Sequence, residues 1–190
     1  IKDHRQVHAS FEETMRQLKL DYVDLYLIHA PWPWSDIGKD CTAQNKEVWA
    51  QMEAIHATGR ARAIGVSNFN VADLGAILDD CTVKPMVNQI RWFVGHRQPD
   101  VVTFCKQHGI VVEAYSPLAT GRILDDRRLA TIAAHTGRSV AQLCIRYALH
   151  HDLLALPKST HPTRIAENAD MDFRISDEDM AVLDAMDERG

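Results

Sequence analysis

Apolar and polar positions alternate along the chain in two recurring lengths. Short runs rich in Val, Ile, Leu and Tyr are each followed by a longer stretch whose apolar residues return every three or four positions. The first helical stretch covers about residues 8–19 and sets Phe11, Met15 and Leu18 on one face. Val23 to His29 is short and nearly all apolar, the pattern of a strand buried on both faces. A loop rich in Pro and Trp follows, then a helix over about residues 44–58 ending at Gly59. Four more pairs come after it. Strand 63–67 leads to helix 71–80, and strand 86–90 to helix 98–108. Strand 110–116 leads to helices near 126–136 and 139–149, and strand 153–158 to a helix near 162–169. The last helix, about 177–187, opens with Ser176-Asp177-Glu178-Asp179, the Ser-x-x-acid form of a capping box.

Strands separated by single helices predict βα units and a parallel sheet. A doubly wound open sheet and a (β/α)8 barrel both satisfy that. The Gly-x-Gly-x-x-Gly turn of a dinucleotide-binding open sheet is absent. Polar residues stand instead at the C-terminal ends of the strands: His29, Ser67-Asn68, Gln89, Tyr115-Ser116 and Lys158-Ser159. In a barrel those ends converge on one face, where the active site lies. The pattern therefore favours a TIM barrel with five of its eight strands.

Composition narrows the function class. The chain has 190 residues, 46% of them hydrophobic, which fits one globular domain over residues 1–190. Its net charge of −5 is spread along the chain without a basic stripe, so a nucleic-acid partner is not expected. No apolar run is long enough to cross a membrane. The four cysteines, Cys41, Cys81, Cys105 and Cys144, show no C-x-x-C spacing and read as free thiols of a cytoplasmic protein. His4 and His8 have metal-ligand spacing, but nothing completes a site and no metal is expected. Met15, Met52, Met180 and Met186 fall on helical faces and read as core. The chain begins at Ile1 and goes directly into a helix, which reads as a fragment.

Six segments then carry a resemblance: Asp21 to Pro33 (DYVDLYLIHAPWP), Ile64 to Phe69 (IGVSNF), Val87 to Ile90 (VNQI), Glu113 to Leu118 (EAYSPL), Leu156 to Thr160 (LPKST) and Arg164 to Asn168 (RIAEN). Together, in this order, they resemble the aldo-keto reductase family, and its bacterial diketogluconate and aldehyde reductase branch most. The resemblance implies a partial (β/α)8 barrel holding strands four to eight, with the first three missing. It implies reduction of a small aldehyde or ketone by hydride transfer from NADPH, in a parent enzyme that is monomeric when complete. Such a reaction needs an electrophilic partner for the carbonyl and a proton donor for the developing alkoxide. Of the family's Tyr, Lys, Asp and His tetrad only the His is matched, by His29. Lys2 lies too near His29 for the family's Lys, and Tyr22 and Tyr26 are poorly placed to act as the acid. The fragment alone is therefore expected to be inactive and, with two open sheet edges, of poor stability.

The resemblance also implies a cofactor site. Ser67, Asn68 and Gln89 would hold the nicotinamide carboxamide, and Tyr115 would stack on its ring. Ser116, Leu118 and Arg122 would follow the pyrophosphate. Lys158, Ser159, Thr160 and Arg164 would take the 2′-phosphate that separates NADPH from NADH, and Glu167 and Asn168 would meet the adenine. Trp32 and Trp34 either line a substrate pocket or simply pack the loop after His29. His29 can also be read as a strand-end hydrogen-bonding group, and Lys158 with Arg164 as a solvated basic loop. Arg91-Trp92-Phe93 stands where the family commonly has Glu-Leu-His-Pro. Two rival functions remain: a non-catalytic NADPH-binding sensor or subunit, and a different barrel enzyme using His29 with a metal.

Overall fold

A computed structural model describes residues 6–186. Lys2 and His4 lie outside the described residues, as does position 187, where the last helix was expected to end. The chain divides into two compact units, one of residues 1–89 with 103–110 and the other of residues 90–102 with 111–190.

The first unit opens with α1 (Val7–Leu18), whose buried face is Val7, Phe11 and Met15. Phe11 meets the ring of Tyr26 edge-on, with centroids 5.0 Å apart, and so docks α1 against β1 (Val23–Ile28). The next helix, α2 (Thr42–Ala57), starts two residues before the apolar period does. The Asp40 carboxylate accepts the Thr42 N–H at 2.9 Å and begins the turn there. Strand β2 (Ala61–Ser67) pairs parallel with β1 and with β3 (Val87–Arg91). Between them α3 (Val71–Leu78) is closed at its start by a capping box of Asn70 and Asp73, which the chain pattern had not disclosed. The second half of α4 (Pro99–His108) completes this unit.

One glycine fixes the spacing of these strands. Leu27 and Val87 flank Gly65 in register, and a Cβ on Gly65 would stand 2.5 Å from the Val87 carbonyl oxygen and 2.8 Å from Leu27 Cδ2. Only a residue without a side chain lets the three backbones pack at this row. On the outer side, one Glu53 carboxylate oxygen accepts the N–H groups of Thr82 and Val83 at 2.7 and 2.6 Å. The Trp49 indole donates to the Val83 carbonyl at 3.0 Å, so α2 holds the segment that leads into β3.

In the second unit β4 (Val111–Tyr115) pairs parallel with β5 (Leu154–Leu156). The strand expected over residues 153–158 is shorter, because Pro157 offers no N–H to a ladder. Leu154 and Leu156 are 51% and 40% exposed, and Leu156 faces a cavity of this unit. Helices α5 (Arg127–Thr136), α6 (Val140–His150) and α8 (Asp177–Asp184) are capped by the side chains of Asp126, Ser139 and Ser176, while α7 (Pro162–Ala169) begins after His161 without a side-chain cap. Ser176 accepts the Asp179 N–H at 3.1 Å, as its Ser-x-x-acid spacing predicts. Asp184 ties α8 to α6: it accepts the Tyr147 hydroxyl at 2.6 Å and the His151 ring at 2.9 Å, with Arg97 at 3.2 Å. Tyr147 is fully buried and stacks on Trp92 at 5.1 Å. Burial, first, and the Asp184 carboxylate together push its phenol far above the ordinary range.

The cysteines are free: Cys105 and Cys144 buried, Cys41 and Cys81 half-buried. Burial pushes the Cys144 thiol up to about 12, which makes it inert. Met15, Met52 and Met186 are core residues and Met180 is half-buried. No helix among the described residues is long and apolar enough to cross a membrane.

Candidate functional site

In the first unit the strand ends deliver His29, Ser67-Asn68 and Gln89. The His29 side chain is exposed. Its ring meets Trp34 edge-on at 5.6 Å, and Trp34 meets Trp32 edge-on at 5.2 Å. These three residues line a cleft of about 390 Å³, together with Pro31, Pro33, Cys41, Val48 and Met52. Asn45, buried on α2, donates to the Pro31 carbonyl at 2.9 Å and anchors the start of the loop. The two indoles border the cleft and pack on one another. Trp34 remains 60% exposed.

Ser67 is buried, and its hydroxyl donates to the Gln89 carbonyl at 2.7 Å. Asn68 takes a left-handed backbone, φ 63°, which Asn tolerates better than most residues. Its N–H donates to the same Gln89 carbonyl at 3.0 Å, and its amide nitrogen donates to the His29 carbonyl at 3.0 Å and to Ser67 Oγ at 3.1 Å. These groups tie the ends of β1, β2 and β3 into one network. Tyr26 lies mid-strand, packed on Phe11, and burial pushes its phenol up against the opposing hydrogen bond with Ser10. Tyr22 lies under the Arg62 guanidinium, 3.8 Å from it.

The second unit holds a larger cavity, about 740 Å³. Ser116, Leu118, Lys158, Ser159, Arg164, Glu167 and Asn168 all line it. Two local devices bring them there. Ser159 Oγ accepts the His161 N–H at 3.1 Å, and Pro162 then starts α7 with a preset backbone angle. Arg164, Glu167 and Asn168 follow at helical spacing and share one face of α7. Lys158 and Arg164 outweigh Glu167, so the cavity wall carries net positive charge. Thr160 is exposed and does not line it, and Tyr115 sits half-buried at the end of β4. Burial pushes the Tyr115 phenol up, and the Arg91 charge pulls it part of the way back. Arg122 Nε donates to the Ala119 carbonyl at 3.4 Å.

The opposite wall is one the chain pattern did not reveal. A 3-10 turn, Ala119–Gly121, brings Thr120 and Gly121 to the cavity, joined by Leu124 and by Ser139, Val140 and Ala141 at the start of α6. Ser116, Ala119 and Thr120 all adopt positive φ, 52°, 48° and 55°, though none is glycine. Each costs about 1–2 kcal/mol, and such strain concentrates where a ligand is held. Gly121 was the available signal for a turn here. Among the described residues no group of three or more His, Cys, Asp or Glu could hold a metal ion.

Comparison with known proteins gives this geometry a lineage. The profile of the aldo/keto reductase family matches residues 2–188, nearly all of the chain. Glyoxal reductase of Bacillus subtilis is 45% identical over 184 residues, which cover 95% of this chain and 63% of that protein. Morphine 6-dehydrogenase of Pseudomonas putida is 40% identical over 193 residues, 94% of this chain and 62% of that one. The chain thus spans about 63% of the length of the first of these relatives. Among solved structures, an aldo/keto reductase from Brucella melitensis matches with a TM-score of 0.88 and 34% identity, over 97% of this chain and 68% of that one. An aldo-keto reductase solved in complex with NADPH matches at 0.87 and 33%, over 97% and 60%. Parallel βα units and these neighbours together support a (β/α)8-type fold. On sequence and structure alike, the chain belongs to the aldo/keto reductase family.

Proposed function

We propose that this chain carries the NADP(H)-binding part of a carbonyl reductase, which reduces an aldehyde or ketone to the alcohol. One observation carries the reading: Lys158 and Arg164 line a single cavity with Ser159, Glu167 and Asn168. A forked guanidinium and a point-charged ammonium beside a hydroxyl suit the 2′-phosphate of NADPH. Thr160 adjoins this group, and Glu167 and Asn168 would meet the adenine. Ser116 and Leu118 would follow the pyrophosphate, and Tyr115 would pack on the nicotinamide. In the first unit Ser67, Asn68 and Gln89 would serve the carboxamide. His29 would orient the carbonyl oxygen, with Trp32 and Trp34 as walls for the substrate. When bound, NADPH supplies the hydride; these residues bind and orient.

The reading has a second part, that the five strands are the last five of eight, as the order of the six resembling segments implies. On that reading the proton donor, Lys and Asp of the family stand on strands outside this chain. The whole enzyme would act as a cytoplasmic monomer, which the four free cysteines fit.

Titration of the chain with NADPH and NADH, followed by Trp fluorescence after circular dichroism has shown it folded, tests the reading. Tight binding of NADPH with clearly weaker NADH is expected. A folded chain that binds neither would end the cofactor assignment.

A further inference from the structure

We propose that Arg146, His150 and Arg174, in the second unit, form a binding site for a phosphate-type oxyanion. Arg146 and His150 stand one turn apart on α6, so their side chains share a face. Arg146 Nε and His150 Nδ1 are both sealed from solvent, and neither has a hydrogen-bond partner among the described residues. Buried donors without acceptors are rare because desolvation goes unrepaid, and a charged donor is the most costly of them.

The surroundings add positive charge. His150 is held below its ordinary range by burial first, then by Arg146, Arg174 and His151, with Asp177 opposing. Arg174, in the loop before α8, is exposed and pairs with Asp177 at 2.9 Å. The C-terminal end of α6 attracts cations through its partial negative charge, which accounts for one of them. It does not account for two buried nitrogens aimed at nothing. A carboxylate or phosphate oxygen would satisfy both, and a tetrahedral oxyanion has oxygens left over for Arg174. Arg146, His150 and Arg174 carry a proton or can take one up, and the one carboxylate nearby, Asp177, is paired with Arg174, which argues against a cation. The site shares no residue with the cavity of Lys158 and Arg164.

Thermal unfolding of the whole chain in sodium phosphate, against sodium chloride at matched ionic strength, tests the site. With phosphate at about ten times its Kd the midpoint should rise by about 3–5 °C. That rise should vanish in R146Q and in R174Q and persist in K158Q/R164Q, which separates it from phosphate held in the cofactor cavity. A parallel arm with glycerol phosphate tells a free ion from a phosphomonoester, and a rise with either supports the site. Equal midpoints in phosphate and chloride would overturn it, as would a rise that disappears only in K158Q/R164Q. Should R146Q fail to fold, the exposed Arg174 decides the matter through R174Q, read also by broadening of the phosphorus resonance.

Discussion

The cavity of the second unit and the cleft of the first are made of different materials. Lys158, Ser159, Arg164, Glu167 and Asn168 come from one short stretch of chain, and a hydroxyl turn before Pro162 sets the entry to the helix that carries most of them. His29, Trp32 and Trp34 come from a strand end and a loop, hold one another edge-on, and leave Trp34 largely exposed. On the proposed reading a phosphate would be recognised by direction and charge, with α7 presetting the backbone that carries Arg164 while the Lys158 and Arg164 side chains stay exposed. A carbonyl substrate flanked by apolar walls asks for little beyond contact. The contrast is between a charged cavity, carried on one helix and its approach, and a cleft walled by indoles and prolines.

The hardest blow to the first unit is Gly65→Val. Its Cβ would stand 2.5 Å from a backbone oxygen, so a loss of about 3 kcal/mol is expected in urea unfolding. A variant as stable as the parent would sink the close-packing account of this row. The contrast between the two sites is sharpened by a pair of variants. K158Q/R164Q should weaken NADPH about 10–100-fold while barely changing NADH, since charge-assisted bonds of about 1.5–3 kcal/mol are removed. H29Q should leave NADPH affinity within about 2-fold, because the cleft adds little to holding the phosphate end. Equal losses for both nucleotides in K158Q/R164Q would erase the distinction between the sites.

The smallest effect concerns Asp126, which caps α5. Its pairing with Arg128 draws its carboxyl down to about 2. A folded pKa below the unfolded one stabilises the protein above about pH 4, and that contribution fades as pH falls through about 2. Since Arg128 is 41% exposed, the effect is worth less than about 1 kcal/mol. Asp126→Asn keeps a capping side chain, so it should lower the midpoint slightly at pH 7 and not at pH 2. A difference that grows toward acid would reverse the sign of this argument.

All five apolar runs form strands, each starting within two residues of the place the pattern indicates, because β-branched and other apolar residues suit a paired, pleated surface; β1, expected to be buried on both faces, is only half-buried along most of its length. Helix faces were legible in part: Phe11 and Met15 of α1 are buried as the period indicates, whereas Leu18, expected on the same face, is 53% exposed. The turn at Ala119–Gly121 was not, since left-handed backbone at Ser116, Ala119 and Thr120 contradicts local preference and is imposed by its surroundings. The early start of α2 depended on Asp40, and the early end of β5 on Pro157, details that periodicity does not register. The polar residues on α7 and its approach stood out as a string after a strand, and only the resemblance gave them a proposed role. Thr120, Ser139 and Ala141 were not, because nothing in their chemistry marks them until the fold brings them to the cavity. The anchoring of Asn68 was equally hidden: a sequence names an amide but not its acceptors.

That amide has a consequence for how the protein ages. Asn68 reaches the His29 carbonyl and Ser67 Oγ through its one side-chain nitrogen. Deamidation would replace that nitrogen with oxygen and add a negative charge facing a carbonyl oxygen. Aspartate tolerates the same backbone angle, so the chain would still fold around the change. What would be lost is the bond from Asn68 to the His29 carbonyl just past the paired part of β1 and β2. A single hydrolysed amide would thus leave a protein of nearly unchanged mass and shape with its mouth unfastened.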